Sequence, residues 1–415
     1  MKRIVLVTVG MCIASTAFSG GYRVALQGQK ATGMGHVGVA MTDSSEVVFF
    51  NPAGMVYLES KADISAGVTL INSVGKYQNE ETGTVAETDN PIGTPINLYF
   101  SRKYSDQIAY GLGIYTPYGN TVKWEKNWAG SHLLNEISLK TIYVQPTISY
   151  KIDDKYSVGF GINYVNGSVE LNRNLSSSPL LVGSDGERSN VTINAEGISS
   201  WGYNIGFLAK PIDKLRVGIS YRSKVTMKAR GQDAKFKSIP SSMLATYTNG
   251  KFDADLVLPA ELTVGIAYDM TPVTTIAFDI NRTYWSAYKS LDIDFANEAI
   301  PDSSNARNYR DTNIYRFGIQ HAIRSNLTIR GGIYFDNSPI RNGYYAPETP
   351  RNDSTGFTAG LTYGVIKNLD LDFSYLYLRF KEFDGSYDHL DGGASFGGQY
   401  KSTVHALGFG LNYRY

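Results

Sequence analysis

The sequence predicts an all-β fold: a transmembrane antiparallel β-barrel of about 14 strands with an N-terminal hatch, or plug, in its lumen. Two observations predict the barrel. Apolar residues alternate with small or polar residues from residue 60 onward, and the linkers between these segments are alternately short and long. A third observation predicts the hatch, because residues 20–60 are apolar and rich in glycine but follow neither a helical nor a strand period.

The chain begins with a predicted signal peptide, residues 1–19. Lys2 and Arg3 precede an apolar run, and Ala17-Phe18-Ser19 fits a small-x-small cleavage site. The run is shorter than the ~20 apolar residues of a membrane-spanning helix, which is the alternative. The only cysteine, Cys12, lies in this segment. We therefore expect an exported protein whose mature chain has no disulfide, thiol chemistry or cysteine metal site.

Residues 20–60 are predicted to form the hatch. The stretch VVFFNPAGMVYL contains Asn51-Pro52-Ala53-Gly54 inside an apolar run, although asparagine and proline interrupt both helix and strand. Irregular backbone at membrane depth is tolerated where it lies inside a lumen. We interpret the turn as an obstruction inside the barrel, with an ordinary turn before the first strand as the alternative.

Residues 61–415 are predicted to form the barrel. In the last segment Leu407, Phe409 and Leu411 share one face, whereas Gly408 and Gly410 share the other. A soluble sandwich alternates in the same way, but only an outer-membrane barrel has reason to separate short turns from long loops. The predicted strands are 62–73, 95–106, 108–119, 137–152, 155–174, 197–211, 214–231, 260–271, 274–295, 313–324, 326–341, 354–367, 369–383 and 399–415.

Several function classes are disfavoured. A net charge of +1 offers no electrostatic footprint for nucleic acid. Gly33-x-Gly35-x-x-Gly38 has the spacing of a dinucleotide-binding motif but lacks a βαβ unit, so no cofactor is expected. The acidic loop 382–393, which includes Asp391, lacks EF-hand spacing, and we expect no metal there. No G-x-S-x-G elbow occurs, and we expect no enzyme.

Several stretches resemble the FadL/TodX family of outer-membrane transporters for long-chain fatty acids and other hydrophobic compounds. They are GYRVALQGQKATGMGHVGVAMTDSSEVVFFNPAGM, LGIYTPYGNTVKWEKNWAG, LKTIYVQPTISYKIDDKYSVGFGINY, LPAELTVGIAYDMTP, WSAYKSL and IRGGIYFDNSPI. The resemblance covers essentially the whole mature chain. It implies a 14-stranded barrel that is closed by the hatch, with Asn51-Pro52-Ala53 as the gate motif beside a kinked third strand. Ligand would leave sideways through the gap at this kink.

Three further sets of site residues are predicted. Gly111 and Gly113 are candidates for the kink, because glycine weakens strand pairing, and the alternative is that they make room for the hatch.

The resemblance implies that the loop 117–136 contributes to a hydrophobic groove for ligand. The alternatives are that the loop anchors in lipopolysaccharide or packs against the protein itself. The loop residues that are predicted to line this groove are Tyr118, Trp124, Trp128, Leu133 and Leu134. Arg222, Arg316 and Arg330 fall on the polar faces of their strands. They could bind a carboxylate or pair with lumen acids.

The sequence thus predicts passive transport of hydrophobic compounds across the bacterial outer membrane, most of all long-chain fatty acids. Aromatic or aliphatic hydrocarbons are the alternative ligands. A lipid hydrolase and a structural or adhesive barrel are the alternatives of other classes. Expected partners are hydrophobic small molecules, outer-membrane lipid, lipopolysaccharide and the barrel assembly machinery. We expect a monomer with both termini in the periplasm.

Overall fold

The computed structural model describes residues 21–24, 26–390 and 394–415. The predicted signal peptide, residues 1–19, lies outside these ranges, and so does Asp391. The described residues form one closed antiparallel barrel with few helices, which confirms the predicted fold class.

Twenty-one strand segments make up the sheet. They are β1 (Ala62–Gln78), β2 (Val85–Glu87), β3 (Ile96–Lys103), β4 (Ile108–Tyr115), β5 (Gly119–Lys123), β6 (Glu136–Lys151), β7 (Tyr156–Asn174), β8 (Asn190–Ile212), β9 (Leu215–Arg222), β10 (Val225–Lys237), β11 (Gly250–Leu258), β12 (Glu261–Thr271), β13 (Thr274–Thr283), β14 (Ser290–Phe295), β15 (Ser303–Ala306), β16 (Thr312–Arg324), β17 (Leu327–Asp336), β18 (Ser354–Ile366), β19 (Leu369–Phe380), β20 (Phe383–Tyr387) and β21 (Phe396–Arg414).

The helices are short. They are α1 (Gln29–Gly33), α2 (Val47–Phe50) and the 3₁₀ helices Pro52–Tyr57, Ser241–Met243 and Trp285–Ala287. Among the residues that the structure describes, no helix is long and apolar enough to cross a membrane.

The strand segments occupy 14 positions in the wall. Seven positions hold two consecutive segments each, namely β2 with β3, β4 with β5, β9 with β10, β11 with β12, β13 with β14, β15 with β16, and β19 with β20. The first and last strands, β1 and β21, pair from Asp63 opposite Arg414 to Gln78 opposite Gln399. This long ladder closes the barrel and leaves no free edge at the seam.

Side chains alternate between the two faces of the wall. On β7, Val158, Phe160 and Ile162 are 39%, 43% and 45% exposed, whereas Ser157 and Asn163 are fully buried. The apolar side chains therefore point outward and the small or polar ones point into the lumen, as in a barrel surrounded by lipid.

Short turns lie at one end of the barrel and long connections at the other. The short turns are residues 104–107, 152–155, 213–214, 272–273, 325–326 and 367–368. At the long-loop end the strands extend further than the alternation predicts. Residues 232–259, expected to form a loop, contain the end of β10 and the whole of β11. Backbone pairing continues there beyond the apolar band, where lipid no longer requires apolar side chains.

Residues 21–58, which we call the hatch below, fill the lumen at the short-turn end. Every described residue in this range is buried except Thr42, Asp43 and Tyr57. The segment contacts inward-facing wall positions on opposite sides of the barrel, because Cβ atoms at Gly218 on β9 and Gly408 on β21 would meet Val39 and Gln29. The lumen is thus packed in its inner half.

Candidate functional site

Asn51 ties the predicted gate motif to both the hatch and the wall. Its Oδ1 accepts a hydrogen bond from the Ala53 amide at 3.1 Å. Its Nδ2 donates to the Val39 carbonyl at 2.8 Å and to the Phe207 carbonyl, on β8, at 3.0 Å. Pro52 then begins the 3₁₀ helix, where its missing N–H costs nothing. The turn is therefore held in one conformation without regular pairing.

Three wall residues that face this motif and its neighbour Val39 are glycines. A Cβ at Gly159 would overlap Ala53, and one at Gly206 would overlap Asn51. A Cβ at Gly218, on β9, would overlap the Val39 carbonyl. Only glycine permits so close an approach between the plug backbone and a strand.

Two wall side chains hold the end of helix α2. Gln145 Nε2 donates to the Val48 carbonyl at 2.7 Å. Arg222 donates to the Phe49 carbonyl at 3.0 Å and lies over the Phe49 ring, 4.6 Å from its centroid. These carbonyls at the C-terminus of a short helix would otherwise be unsatisfied. Arg222 and Gln145 therefore act as anchors of the hatch.

The third wall strand leaves the wall between β4 and β5. All residues from 116 to 122 are buried, whereas burial alternates along β4. The second and third wall strands are joined by the pair of Asn97 with Tyr115 and by the bond from the Asp89 amide to the Lys123 carbonyl. Between these two points, no backbone hydrogen bond joins the two strands among the described residues. A gap in the ladder thus exists where the chain bends inward at Thr116-Pro117-Tyr118.

The N-terminal segment of the hatch pairs with the bent piece. The Val24 amide donates to the Pro117 carbonyl at 2.8 Å, and the Gly119 amide donates to the Tyr22 carbonyl at 3.0 Å. The Gln27 side chain donates to the Thr116 carbonyl at 2.9 Å. The hatch therefore satisfies the backbone groups that the bend removes from the wall.

Gly111 and Gly113, the predicted kink residues, lie in β4 below the bend. Both are paired on either side, with β3 and with β6, so the ladder is regular across them. A Cβ at either position would approach Val48 of the hatch. These contacts agree with the alternative interpretation, in which Gly111 and Gly113 make room for the hatch. Their part in bending the strand stays a prediction.

An apolar cavity occupies the outer half of the lumen, toward the long loops. It holds about 940 Å³ of space, including solvent at its opening. Its wall is formed mainly by aliphatic and aromatic side chains, among them Ile137, Leu139, Ile193, Ile198, Met227, Phe252 and Ile293. Tyr22 of the hatch and Asn120 of the bent segment also line it. The cavity therefore adjoins the place where the third strand leaves the wall.

The charged groups at this cavity are paired. Glu348 forms an ion pair with Arg307, whose side chain is buried, whereas the Glu348 side chain is 12% exposed. Asp255 forms an ion pair with Arg230 at 2.6 Å. Among the described lining residues there is no lysine or arginine. An apolar ligand gains free energy here from burial of its surface.

The predicted groove residues lie mostly inside the protein. Tyr118, on the bent segment, donates to Glu261 at 3.0 Å within the lumen. Trp124 and Trp128 stack with ring centroids 4.3 Å apart, and their indole N–H groups donate to the Pro347 and Leu134 carbonyls. Leu134 is buried and Leu133 is half-buried. These contacts agree with the alternative interpretation, in which the loop residues pack against the protein itself. The ligand groove stays a prediction.

Of the three predicted lumen arginines, Arg222 and Arg316 line one small cavity beside the hatch, whereas Arg330 lies elsewhere. Arg222 and Arg316 are buried against the hatch. Arg330 is nearer the short-turn end, where it bonds to Gln320 at 3.2 Å and Thr362 at 2.5 Å. The structure adds Arg23 and Glu261, which form a buried ion pair at 2.9 Å. A basic residue in a segment that is predicted to lie inside the lumen was the available signal for Arg23.

Glu46 is a buried carboxylate within the hatch. Its oxygens accept hydrogen bonds from the Lys30 and Ala31 amides, each at 3.1 Å. Burial, together with the nearby charge of Asp372, raises the pKa of Glu46 to about 7. The carboxyl group is therefore near its titration point at neutral pH.

Comparison with known proteins connects this arrangement to one family. A family described as outer membrane protein transport protein (OMPP1/FadL/TodX) matches residues 10–415. A putative outer membrane protein of Neisseria meningitidis is 27% identical, over 100% of this chain and 99% of that protein. The long-chain fatty acid transport protein of Escherichia coli K12 is 24% identical, over 97% and 96%.

Solved structures share the fold. The crystal structure of a Pseudomonas aeruginosa FadL homologue has a TM-score of 0.84 at 19% identity, over 95% of this chain and 100% of that one. The Pseudomonas putida toluene transporter TodX has a TM-score of 0.72 at 16% identity, over 96% and 99%.

Proposed function

The chain belongs to the FadL/TodX family of outer-membrane transporters of hydrophobic compounds, and on this premise we propose that it carries long-chain fatty acids passively and releases them sideways into the membrane. In this proposal residues 20–60 are the hatch and residues 61–415 the barrel. The single observation that supports it best is the apolar cavity above a packed hatch and beside a gap in the wall.

The outer cavity supplies the driving force for uptake. Each CH₂ group moved from water into apolar surroundings gains roughly 0.8 kcal/mol. A molecule with a long acyl chain would therefore partition into this cavity without nucleotide or proton coupling. Lipopolysaccharide would surround the outer opening, and the barrel assembly machinery would insert the chain as a monomer with both termini in the periplasm.

The inner half of the lumen favours a lateral route. The hatch blocks the direct path to the short-turn end, because it is buried against glycines on opposite sides of the wall. The bent segment 116–122 lies between the cavity and the gap in the ladder. A greasy molecule that leaves there meets hydrocarbon, whereas one that continues downward meets water, so lateral release is favoured.

Hydrocarbons are the second candidate ligands, and a specific observation favours them. The described residues that line the apolar cavity include Glu348 and Asp255 but no lysine or arginine. A neutral molecule such as toluene needs no cationic partner in the cavity, whereas a carboxylate would have to find a cationic partner elsewhere in the lumen. The relative from Escherichia coli is named for long-chain fatty acids and TodX for toluene, so similarity alone supports either ligand.

Uptake of labelled hexadecanoate tests the proposal. Cells that lack their own transporter would express the wild type, the Asn51→Ala, Pro52→Ala double variant, or Thr32→Ala as a matched hatch control. We expect uptake with the wild type and the control, and a several-fold loss in the double variant, because three hydrogen bonds of Asn51 are removed.

Two results would count against it. Equal uptake by the double variant, at equal abundance in the outer membrane, would remove the gate role of Asn51 and Pro52. No hexadecanoate uptake by the wild type, with uptake of labelled toluene instead, would replace fatty acids by hydrocarbons as the substrate.

A further inference from the structure

The connection between β17 and β18, residues 337–353, folds into the outer half of the lumen, and we call it the inward loop. Its residues 345–347 and 349–351 are buried. The hydroxyl of Ser402, at a buried position of β21, donates to the Pro350 carbonyl at 2.8 Å. Connecting segments usually run over the surface of a protein, so a loop that lies inside the barrel calls for a physical reason.

The inward loop is fixed to the wall on several sides. Glu348 forms an ion pair with Arg307, which directly follows β15. The Tyr345 amide donates to the Ser386 carbonyl, on β20, at 2.9 Å. Together with the bond from β21, these contacts hold the loop in one position relative to the wall.

The inward loop also forms one side of the apolar cavity. Glu348 and Thr349 line the cavity, and the next residue, Pro350, is bonded to β21. Among the described residues that line the cavity, none belongs to β1, β19 or β21. The loop therefore separates the cavity from these strands and confines a ligand to the side of the lumen where the bent segment lies.

Two side chains of the third wall strand donate to the inward loop. Asn120 Nδ2 donates to the Glu348 carbonyl at 2.7 Å, and Trp124 Nε1 donates to the Pro347 carbonyl at 3.1 Å. Both side chains are buried. The hatch bonds to the backbone at 117 and 119, so the hatch and the inward loop hold consecutive parts of the same strand.

The register of the wall shows that the bend needs such support. Asn97 pairs with Tyr115 below the gap, and Thr88 pairs with Trp124 above it. Residues 89–96 and residues 116–123 separate these two pairs, which is eight residues on each strand. The ladder could therefore close across the gap without a shift in register. Unpaired backbone groups in a membrane wall are costly, so contacts elsewhere must hold the segment out of the ladder.

We propose that the inward loop holds the bent segment 116–122 away from the ladder and so keeps the apolar cavity joined to the gap in the wall, with Asn120 and Trp124 as positioning residues. The inference rests on the proposed transport function. It adds a support on the outer side of the bend to the one that the hatch supplies on the inner side. When both donors are lost, the segment re-pairs with the second wall strand and the lateral exit closes.

The first test separates uptake from binding. Labelled hexadecanoate would be offered over a range of concentrations to cells that lack their own transporter, and its Kd would be measured on the purified, detergent-solubilised protein. We expect Asn120→Ala and Trp124→Phe each to lower the maximal uptake rate about threefold, and the double variant to lower it about tenfold. The Kd should stay within about threefold of the wild type in all of them.

Asn297→Ala is the matched control for these variants. The Asn297 side chain also donates to a carbonyl of another outer loop, that of Thr246, at 3.1 Å. Asn297 does not line the apolar cavity and has no recorded bond to the inward loop among the described residues. Its substitution should leave the maximal uptake rate unchanged.

The second test asks whether the gap closes. In a continued ladder Gly119 would lie opposite Gly93, because the register places Asn97 opposite Tyr115. Antiparallel partners have Cα atoms roughly 4.5–5.5 Å apart, within the range that a disulfide spans. Gly93→Cys with Gly119→Cys should form no disulfide in an otherwise unchanged protein. The same pair should form one when Asn120→Ala and Trp124→Phe are added.

The outcomes distinguish the role of the loop from the transport function. An unchanged maximal rate in the double variant would overturn the role of the inward loop. A raised half-saturation concentration with an unchanged maximal rate would also overturn it, because that pattern assigns Asn120 and Trp124 to ligand capture. A comparable loss in Asn297→Ala would do the same, since it reports any lost bond between outer loops.

Two further outcomes remain decisive. If the wild type takes up no hexadecanoate, the proposed transport function itself is wrong, and the disulfide test then decides the role of the loop alone. If the double variant does not fold, the two single variants are used instead, and an unchanged maximal rate in both overturns the role of the loop.

Discussion

The two halves of the lumen are built on different chemistry. In the outer half, side chains such as Leu139 and Ile193 surround open space with an apolar lining. In the inner half, wall glycines touch the hatch backbone, and side chains such as Gln145 and Arg222 hold its carbonyls. One half is open and apolar, whereas the other is closed and held by directional hydrogen bonds.

This difference shows how one lumen can both accept hydrophobic molecules, in its outer half, and hold a hatch in place, in its inner half. Apolar burial is non-directional, so the outer half accepts many hydrophobic shapes. Hydrogen bonds fix one geometry, but each contributes only about 0.5–1.5 kcal/mol net. The hatch is therefore held in one geometry by many bonds, each of which is weak.

The largest expected effect comes from placing a side chain where the inner half requires glycine. Gly206→Leu would overlap Asn51 and Pro52, and the backbone there has little room to move. We expect the hatch to be displaced, since overpacking alone costs about 1–3 kcal/mol or more. Single-channel recording in planar bilayers should then show ion conductance that the wild type lacks.

The matched control is Gly331→Leu. Gly331 lies on the outward face of β17, and its nearest neighbour is a backbone oxygen 3.9 Å from the position of a Cβ. The barrel of the Gly331→Leu variant should remain closed to ions. Conductance in Gly331→Leu, or none in Gly206→Leu, would show that glycine packing does not hold the inner half shut.

A smaller effect is expected from filling the outer half. Ala229 lines the apolar cavity, so Ala229→Phe would occupy space that a ligand needs. We expect the Kd for a hydrophobic ligand such as hexadecan-1-ol to rise about tenfold, with the hatch unaffected. Lys228→Phe, on the opposite face of β10, is the control and should bind normally. Equal binding by Ala229→Phe would mean that the ligand lies elsewhere.

The smallest effect concerns pH and is confined to the inner half. The folded pKa of Glu46, about 7, is raised above its ordinary value of 4.5, so its contribution to stability is fully present below about pH 4.5 and is lost as the pH rises through 7. The full difference is about 3 kcal/mol. Denaturant midpoints of the wild type should therefore fall between pH 5 and pH 8, and Glu46→Gln should remove most of that fall. An identical pH profile in Glu46→Gln would exclude Glu46 as the cause.

The regular wall could be predicted from the sequence because its signal is local. β7 was expected at 155–174 and spans Tyr156–Asn174, since each outward position must be apolar in lipid. The gap between the predicted strands 137–152 and 155–174 and the gap between 260–271 and 274–295 likewise coincide with the short turns 152–155 and 272–273. Inward-facing glycines can be read from the same alternation, but the sequence does not show which hatch residue each of them contacts.

The bend in the third strand could not be predicted in the same way. Alternation favoured a continuous strand over 108–119, whereas the chain turns inward at Pro117. The partner that stabilises this bend, Tyr22–Val24, lies far away in the sequence, and no local pattern reports a long-range pairing. Proline's missing ladder donor was the one local signal. Likewise, Arg23 and Glu261 are 238 residues apart, so their ion pair is a property of the fold alone.

The seam between β1 and β21 bears on how the molecule assembles. Its pairs join residues near the two ends of the chain, such as Asp63 and Arg414, and contacts of such long sequence separation form late because loop closure costs entropy. The hatch directly precedes β1, and Lys30 donates to Asn412 of β21 at 3.0 Å. The plug thus spans the line along which the sheet closes. We expect the growing sheet to wrap around its plug, so that the final zippering step seals the cylinder and captures its contents together.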